Sequence, residues 1–289
     1  MSIHSTEFLL DEATKNNQHL WQVILNQESE DSGTPVPDLI ARVHETYQVM
    51  KNAAAGGIST EIRSVSGLTG GEAVKYYQHY KNHKNLLGGL SARAMSYALA
   101  TSGYNAAMGV IVAAPTAGAA GILPGVVIAA QEEYGLSDHE AVSALVVASG
   151  IGMVIMSRAT VSGAVAGCQA ECGSGAAMAA AALCECMGGT ARQCTNAAAL
   201  ALKNTLGLAC DPVAGLVEVP CIKRNGVFAI LAIAAADMAL AGIESFIPLD
   251  EVIDAMYSIG VNMPTAIRET AEGGLATTPT GLAAKRKLF

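Results

Sequence analysis

Aromatic side chains are scarce. Phe, Trp and Tyr make up 4% of the 289 residues, although 51% of the chain is apolar. A core without large rings has to be filled by Ala, Val, Ile, Leu, Met and Gly, and such small residues suit helices packed at close range. Positive charge is scarce as well. The formal net charge is −8, and the one basic run is Lys285-Arg286-Lys287. With no basic stripe to neutralise phosphates, nucleic acid is not expected as a partner. The start of the chain, MSIHSTEFLLDEATKNN, lacks the basic and apolar regions of a secretory signal and carries acidic residues instead. The expectation is a cytoplasmic protein whose seven cysteines are thiols or metal ligands, not disulfides.

Unbroken apolar runs are also missing. Residues 105–131 carry no charge and are long enough to cross a bilayer, but Pro115, Gly118, Gly121, Pro124 and Gly125 interrupt them. A second stretch, GVFAILAIAAADMALAGI, has Asp237 in its middle, where an ionised carboxylate is costly in lipid. Neither stretch has flanking Lys/Arg asymmetry or a Trp/Tyr belt, so no membrane association is expected. Strand-like alternation never persists beyond a few residues, nothing repeats, and no linker of disordered composition divides the chain. The fold class expected is all-α, a single domain over residues 1–289, with outer helices in 1–60 and the core in 61–289.

What is present reads as helices punctuated by glycine turns. Residues 5–28 and 36–52 look helical; in the second, Leu39, Ile40, Val43, Tyr47 and Met50 recur at three- and four-residue steps after Pro-Val-Pro-Asp. Between them, ESEDSGTP is a polar loop. A turn through Leu68-Thr69-Gly70-Gly71 leads into a helix from Glu72 to Tyr80, and another helix runs through 89–101. After Asn105, the Gly/Ala turn Ala113–Gly121 feeds a short helix near Pro124. Backbone N–H groups at such a turn suit a carboxylate or phosphate, and close packing is the competing reading. Ser137-Asp138-His139-Glu140 is a capping box opening a helix to about Met156. Thr190-Ala191-Arg192-Gln193 repeats the device for a helix ending near Gly207, and a third helix runs from Pro248-Leu249-Asp250-Glu251 to Gly260. From Met263 onward the sequence reads as irregular.

All seven cysteines fall between Ser162 and Asn225. Cys184, Cys186 and Cys194 lie in Ala-rich helical sequence and read as small buried hydrophobes. The others form no zinc pattern, because C-x2-C knuckles and paired histidines are absent. A C-x3-C-x2-C run is absent, since no Cys follows Cys172 at the third position, and so is a ferredoxin run. What remains is dispersed: Cys168, then Cys210 forty-two residues on, then Cys221 eleven further. Cys210 and Cys221 bracket DPVAGLVEVP, which Pro212, Gly215 and Pro220 make a loop. A loop can wrap an iron–sulfur cluster and offer its backbone N–H groups to the sulfurs. Three thiolates on a four-iron cluster would leave one iron free to act as a Lewis acid.

Five ordered segments then carry a family resemblance: SGLTGGEAVKYYQ (66–78), NAAMGVIVAAPTAGAAGILPG (105–125), SGAVAGCQAECGSGAAMAAAAL (162–183), GLACDPVAGLVEVPCIKRN (207–225) and MPTAIRETAEGGLATTPTG (263–281). Almost the whole chain resembles the α chain of the bacterial iron–sulfur-dependent L-serine dehydratases of the two-subunit type. The resemblance implies a helical catalytic domain, with 61–289 as cluster and substrate core, and a [4Fe–4S] cluster on Cys168, Cys210 and Cys221. Cys172 fits that set less well, although as an i+4 neighbour it would lie close to Cys168. Single-chain members can bring a C-terminal cysteine to the fourth iron; this chain ends Lys287-Leu288-Phe289, which implies an open or water-bound iron and sensitivity to air.

The implied reaction takes L-serine to pyruvate and ammonia, with a separate β chain as partner. Ser66, Thr69, Gly70, Gly71, Asn105, Thr116 and Gly118 are expected to bind the substrate's carboxylate or ammonium. Lys223 and Arg224 either offset the cluster's negative charge or form an ordinary solvated pair. The base that removes the α-proton stays unassigned. The six histidines sit in polar helical stretches or caps, so the partner chain is the expected source of the base. Three rival readings stay open: a pyridoxal-phosphate dehydratase, for which only Lys75 and Lys203 are at hand; the same cluster acting on cysteine or threonine; and a non-catalytic membrane or assembly protein.

Overall fold

Small side chains set the distance between helices in this fold. A computed structural model describes residues 3–289, and among them the architecture is helical, without a strand. The first five helices are α1 (Thr6–Asn16), α2 (Leu20–Ser32), α3 (Val36–Ser59), α4 (Glu72–Asn82) and α5 (Gly89–Ala106). Next come α6 (Ile122–Tyr134), α7 (Asp138–Arg158), the single turn α8 (Gly163–Ala166), α9 (Ser174–Cys186) and α10 (Ala191–Lys203). The chain closes with α11 (Cys221–Leu240), α12 (Leu249–Val261) and α13 (Pro279–Leu288).

α9 is the axis. Every residue from Ser174 to Glu185 is buried, which follows from a sequence that is apolar all round. α6, α7, α10 and α11 pack around it, and α5 closes against α6 and α11 while carrying α3 and α4 on its outer side. The backbones come close because no side chain keeps them apart. A Cβ on Gly57 of α3 would stand 2.1 Å from the Ala100 carbonyl oxygen of α5. Gly57→Ala is therefore expected to lower stability by about 1–3 kcal/mol through overpacking, read as a drop in the midpoint of thermal melting followed by helical circular dichroism.

One helix among the described residues, α7, is long and apolar enough to cross a membrane, and 72% of its most apolar window is buried inside the protein. It is the core helix under α2, α3 and α9. Of the two stretches weighed in the sequence, residues 105–131 split at Gly121 into a turn and α6, and Asp237 lies on the exposed face of α11.

The Ser137 and Thr190 capping boxes form as the sequence predicts. Several elements differ, and α3 and α5 run on to Ser59 and Ala106, past the expected ends at 52 and 101. The expected helix over 5–28 breaks at Asn17, which takes the left-handed conformation with φ 50° and caps α1; Asn tolerates that region better than other residues with a Cβ. The helix opened by Thr190 ends at Lys203. Last, the terminal segment is not irregular throughout. Thr278 caps α13, with Pro279 in its first turn and Lys285, Arg286 and Lys287 in its last, where cations complement the helix dipole.

Candidate metal centre

The centre forms where helix geometry is interrupted between α8 and α9. α8 ends at Gly167, Cys168 follows, and a π-turn over Gln169–Gly173 leads into α9. Such wide turns recur at functional sites because they swing side chains out of helical register. Here the Cys168 and Cys172 sulfurs lie 3.4 Å apart. Gln169, fully buried, pins the turn on three sides. Its Nε2 donates to the Ala166 and Met256 carbonyls, 2.9 Å each, and its Oε1 accepts from Gly207 N at 2.9 Å.

Cys210 arrives on the loop after α10, held by the segment that follows α12. Cys210 N donates to Ile267 O at 2.8 Å, and Glu269 N donates to Cys210 O at 2.7 Å. Arg224 clamps the same loop from α11, donating to Ala209 O at 2.9 Å and Asp211 Oδ1 at 3.0 Å. Asp211 Oδ2 then accepts from Leu275 N at 2.8 Å. Each partner in this clamp is satisfied, which fixes the loop without a regular element. Cys221 is the first residue of α11 and is buried.

Ligand atoms of Cys168, Glu171 and Cys210 all lie within 4.8 Å of one another. Cys210 Sγ donates to Glu171 Oε2 at 3.7 Å. The thiols do not share charge evenly. Hydrogen bonds from Cys172 and Cys210, helped by the Arg224 guanidinium, hold Cys168 well below the ordinary thiol range. Cys210 is pushed up by its bond to Cys168 and by burial, and burial with the Cys168 charge pushes Cys221 up to about 12. Burial first, then the charges at Cys168 and Glu269, raise Glu171 to about 7.

Residues expected to touch substrate divide into two groups, each gathered by a glutamate. Thr116 Oγ1 donates to Glu171 Oε1 at 3.0 Å, and a Cβ on Gly118 would sit 3.4 Å from that same oxygen. Gly163 is needed bare, since a Cβ there would meet Glu171 Oε2 at 2.8 Å and Cys210 Sγ at 3.1 Å. The Thr116–Gly121 turn is fastened to α11 by the buried Asn225. Its Oδ1 accepts from Gly121 N at 2.9 Å, and its Nδ2 donates to Gly118 O at 2.7 Å. Asn105 Nδ2 donates to Ala117 O at 3.3 Å. In the second group, Ser66 Oγ and Thr69 Oγ1 both donate to Glu218 Oε2, at 2.8 and 3.0 Å. Gly70 and Gly71 shape the turn behind them; a Cβ on either would run into Arg63 or Glu61.

The two basic neighbours of Cys221 part company. Lys223 pairs with Glu72 at the surface, whereas Arg224 faces Cys168 and Asp211. Lys75 is exposed, and Lys203 donates to the Ser245 carbonyl. The contacts of the histidines lie elsewhere: His19 with Glu185, His44 with Asp138, His79 stacked on His83, and His139 against Trp21. Cys184 sits ten residues along α9 from Ser174, roughly 15 Å at helical rise, and Cys194 neighbours it and Glu185. Sequence reasoning passed over Glu171, Asp211 and Glu218. The signal was available, for each is an isolated acid in sequence otherwise apolar, and such a charge is buried only when it has partners.

The donor set suits a thiolate-bound centre. It is rich in soft sulfur, contains no imidazole, and has a guanidinium to balance anionic charge. Fold and site together define a helical protein with a candidate thiol–carboxylate metal centre held by loops. The chain belongs to the serine dehydratase alpha chain family, whose model matches residues 15–276. It is 50% identical to a probable L-serine dehydratase alpha chain of Bacillus subtilis (strain 168), covering 97% of this chain and 93% of that one. Identity to the L-serine dehydratase alpha chain of Peptoniphilus asaccharolyticus is 40%, over 98% and 97%. An L-serine dehydratase of Escherichia coli (strain K12) is 44% identical over 62% of this chain and 40% of its own length.

Proposed function

We propose that this chain is the cluster-bearing subunit of a cytoplasmic L-serine dehydratase, converting L-serine to pyruvate and ammonia with a β chain as partner. The observation that carries the reading is the meeting of Cys168, Cys210 and Glu171 within 4.8 Å, in a chain of this family. Cys168, Cys210 and Cys221 would hold a [4Fe–4S] cluster. Bound there, it supplies Lewis acidity toward a substrate oxygen.

The chain's own residues account for the rest. Thr116 orients Glu171 through the 3.0 Å hydrogen bond. Glu171 is then the acid–base group of this chain at the centre. Arg224 holds the Cys210 loop and offsets the charge of the thiolates. Ser66, Thr69, Asn105, Thr116 and Gly118 line the approach for the amino acid. Loss of the α-proton and the β-hydroxyl yields aminoacrylate and water; tautomerisation to the imine and hydrolysis then give pyruvate and ammonia without further help from the protein.

Anaerobic purification with and without a β chain tests the reading. The expected result is iron and acid-labile sulfide near about four each per chain, with pyruvate formed from serine only when the β chain is present. A borohydride-reducible cofactor in place of iron would overturn it.

A further inference from the structure

The protein leaves the buried carboxylate of Glu218 half used. Its residue is 6% exposed, and both hydrogen bonds it receives, from Ser66 and Thr69, fall on Oε2. Among the described residues no group donates to Oε1, and no Lys, Arg or His comes within ion-pair distance. Oε1 is not among the described polar atoms that are both buried and unpartnered, so it keeps contact with solvent and stands free to pair with a cation that enters from there.

Glu218 stands on the wall of an open pocket of about 460 Å³, shared with Ser66, Asn105, Val217, Leu288 and Phe289. This pocket adjoins the thiol centre. Val217 on its wall and Glu171 beside Cys210 each lie 3.4 Å from where a Cβ on Gly118 would stand, so the partition between them is bare glycine backbone. The chemistry of the wall narrows the cation. A divalent metal needs several oxygens, more than one carboxylate side chain as a rule, and Glu218 is the one acidic side chain on this wall. A primary ammonium carries a single charge and has the donors that Oε1 lacks.

We propose that Glu218 receives the α-ammonium of the amino-acid substrate and so gives the enzyme its preference for amino acids over the corresponding hydroxy acids. This rests on the dehydratase reading above. Ser66 and Thr69 hold Oε2, which leaves Oε1 without a donor at the pocket wall. An analogue with a hydroxyl in place of the ammonium would bring no charge to it and bind more weakly.

The test compares L-serine with L-glycerate, its amine-free counterpart, on the holoenzyme. For Glu218→Gln the KM for L-serine is expected to rise on the order of 10²-fold, while inhibition by L-glycerate holds or tightens and iron content and visible spectrum stay unchanged. Glu218→Asp, which keeps the charge one methylene back, is expected to fall between. If serine and glycerate weaken in parallel, or if KM is unmoved in either variant, the assignment is wrong. Calorimetry with L-alanine and L-lactate, which carry no β-hydroxyl to lose, reads the same discrimination without turnover. Preference for alanine in the wild type that disappears in Glu218→Gln supports the ammonium site; equal binding of the two by the wild type overturns it. A cluster-loaded wild type that makes no pyruvate from serine even with its β chain present would instead refute the dehydratase reading, and the calorimetry would still decide the site.

Discussion

Cys168→Ser, Cys210→Ser and Cys221→Ser are each expected to leave the anaerobically purified protein without its brown chromophore and without measurable pyruvate formation. The argument is one of supply. These thiols come from three separate segments, the entry to the π-turn, the clamped loop and the start of α11, and among the described residues no imidazole stands near to replace one. Losing an outer partner of a metal ligand costs roughly 10- to 100-fold, and losing a ligand should cost more. Cys184→Ser, Cys186→Ser and Cys194→Ser are expected to retain iron, since those sulfurs lie along α9 and α10, away from the π-turn. Iron analysis and the visible spectrum of the six variants decide it. A reversed pattern would move the centre to the wrong end of α9.

Glu171→Gln is expected to lower kcat by about 10²- to 10⁴-fold while leaving the iron in place. The amide preserves size and can still accept the Thr116 hydroxyl, so the local packing survives. What disappears is the ability to take a proton. In the thiol form Glu171 accepts from Cys210, and a Cys210 that binds metal as thiolate has no hydrogen to give. The carboxylate would then be left with Thr116 alone, beside the ligands and short of donors. Rapid-mix assays of pyruvate alongside iron content separate the outcomes. An unchanged kcat would return the base to the partner chain, and loss of iron would make Glu171 part of the metal-binding shell.

Much of this arrangement is legible in the sequence. Capping boxes at Ser137 and Thr190 fixed two helix starts, because a local hydrogen-bond pattern needs no tertiary information. The i+4 spacing of Cys168 and Cys172 placed their sulfurs together, although through a π-turn and not a plain helix. The pairing of Glu171 with Thr116 across fifty-five residues, and of Glu218 with Ser66 across one hundred and fifty-two, was not legible. Such contacts depend on how α5, α9 and α11 pack, and periodicity says which face is buried, not what it meets. Arg224 and Lys223 show the same limit: adjacent in sequence, they point to a buried thiol and to a surface carboxylate.

The alanine-lined axis has a thermodynamic consequence. An alanine side chain has no rotamers to freeze, so α9 orders with little side-chain entropy to lose, and the backbone carries nearly all of the entropic cost. Each alanine also contributes little apolar area, and cohesion has to come from the number of close backbone contacts. At its alanine and glycine positions such a core has little to lose by truncation and much to lose by growth, as Gly57 against the Ala100 carbonyl illustrates. Its characteristic injury is a methyl group too many, and drift in sequence at these helices is confined from above, by volume, more than from below by hydrophobicity.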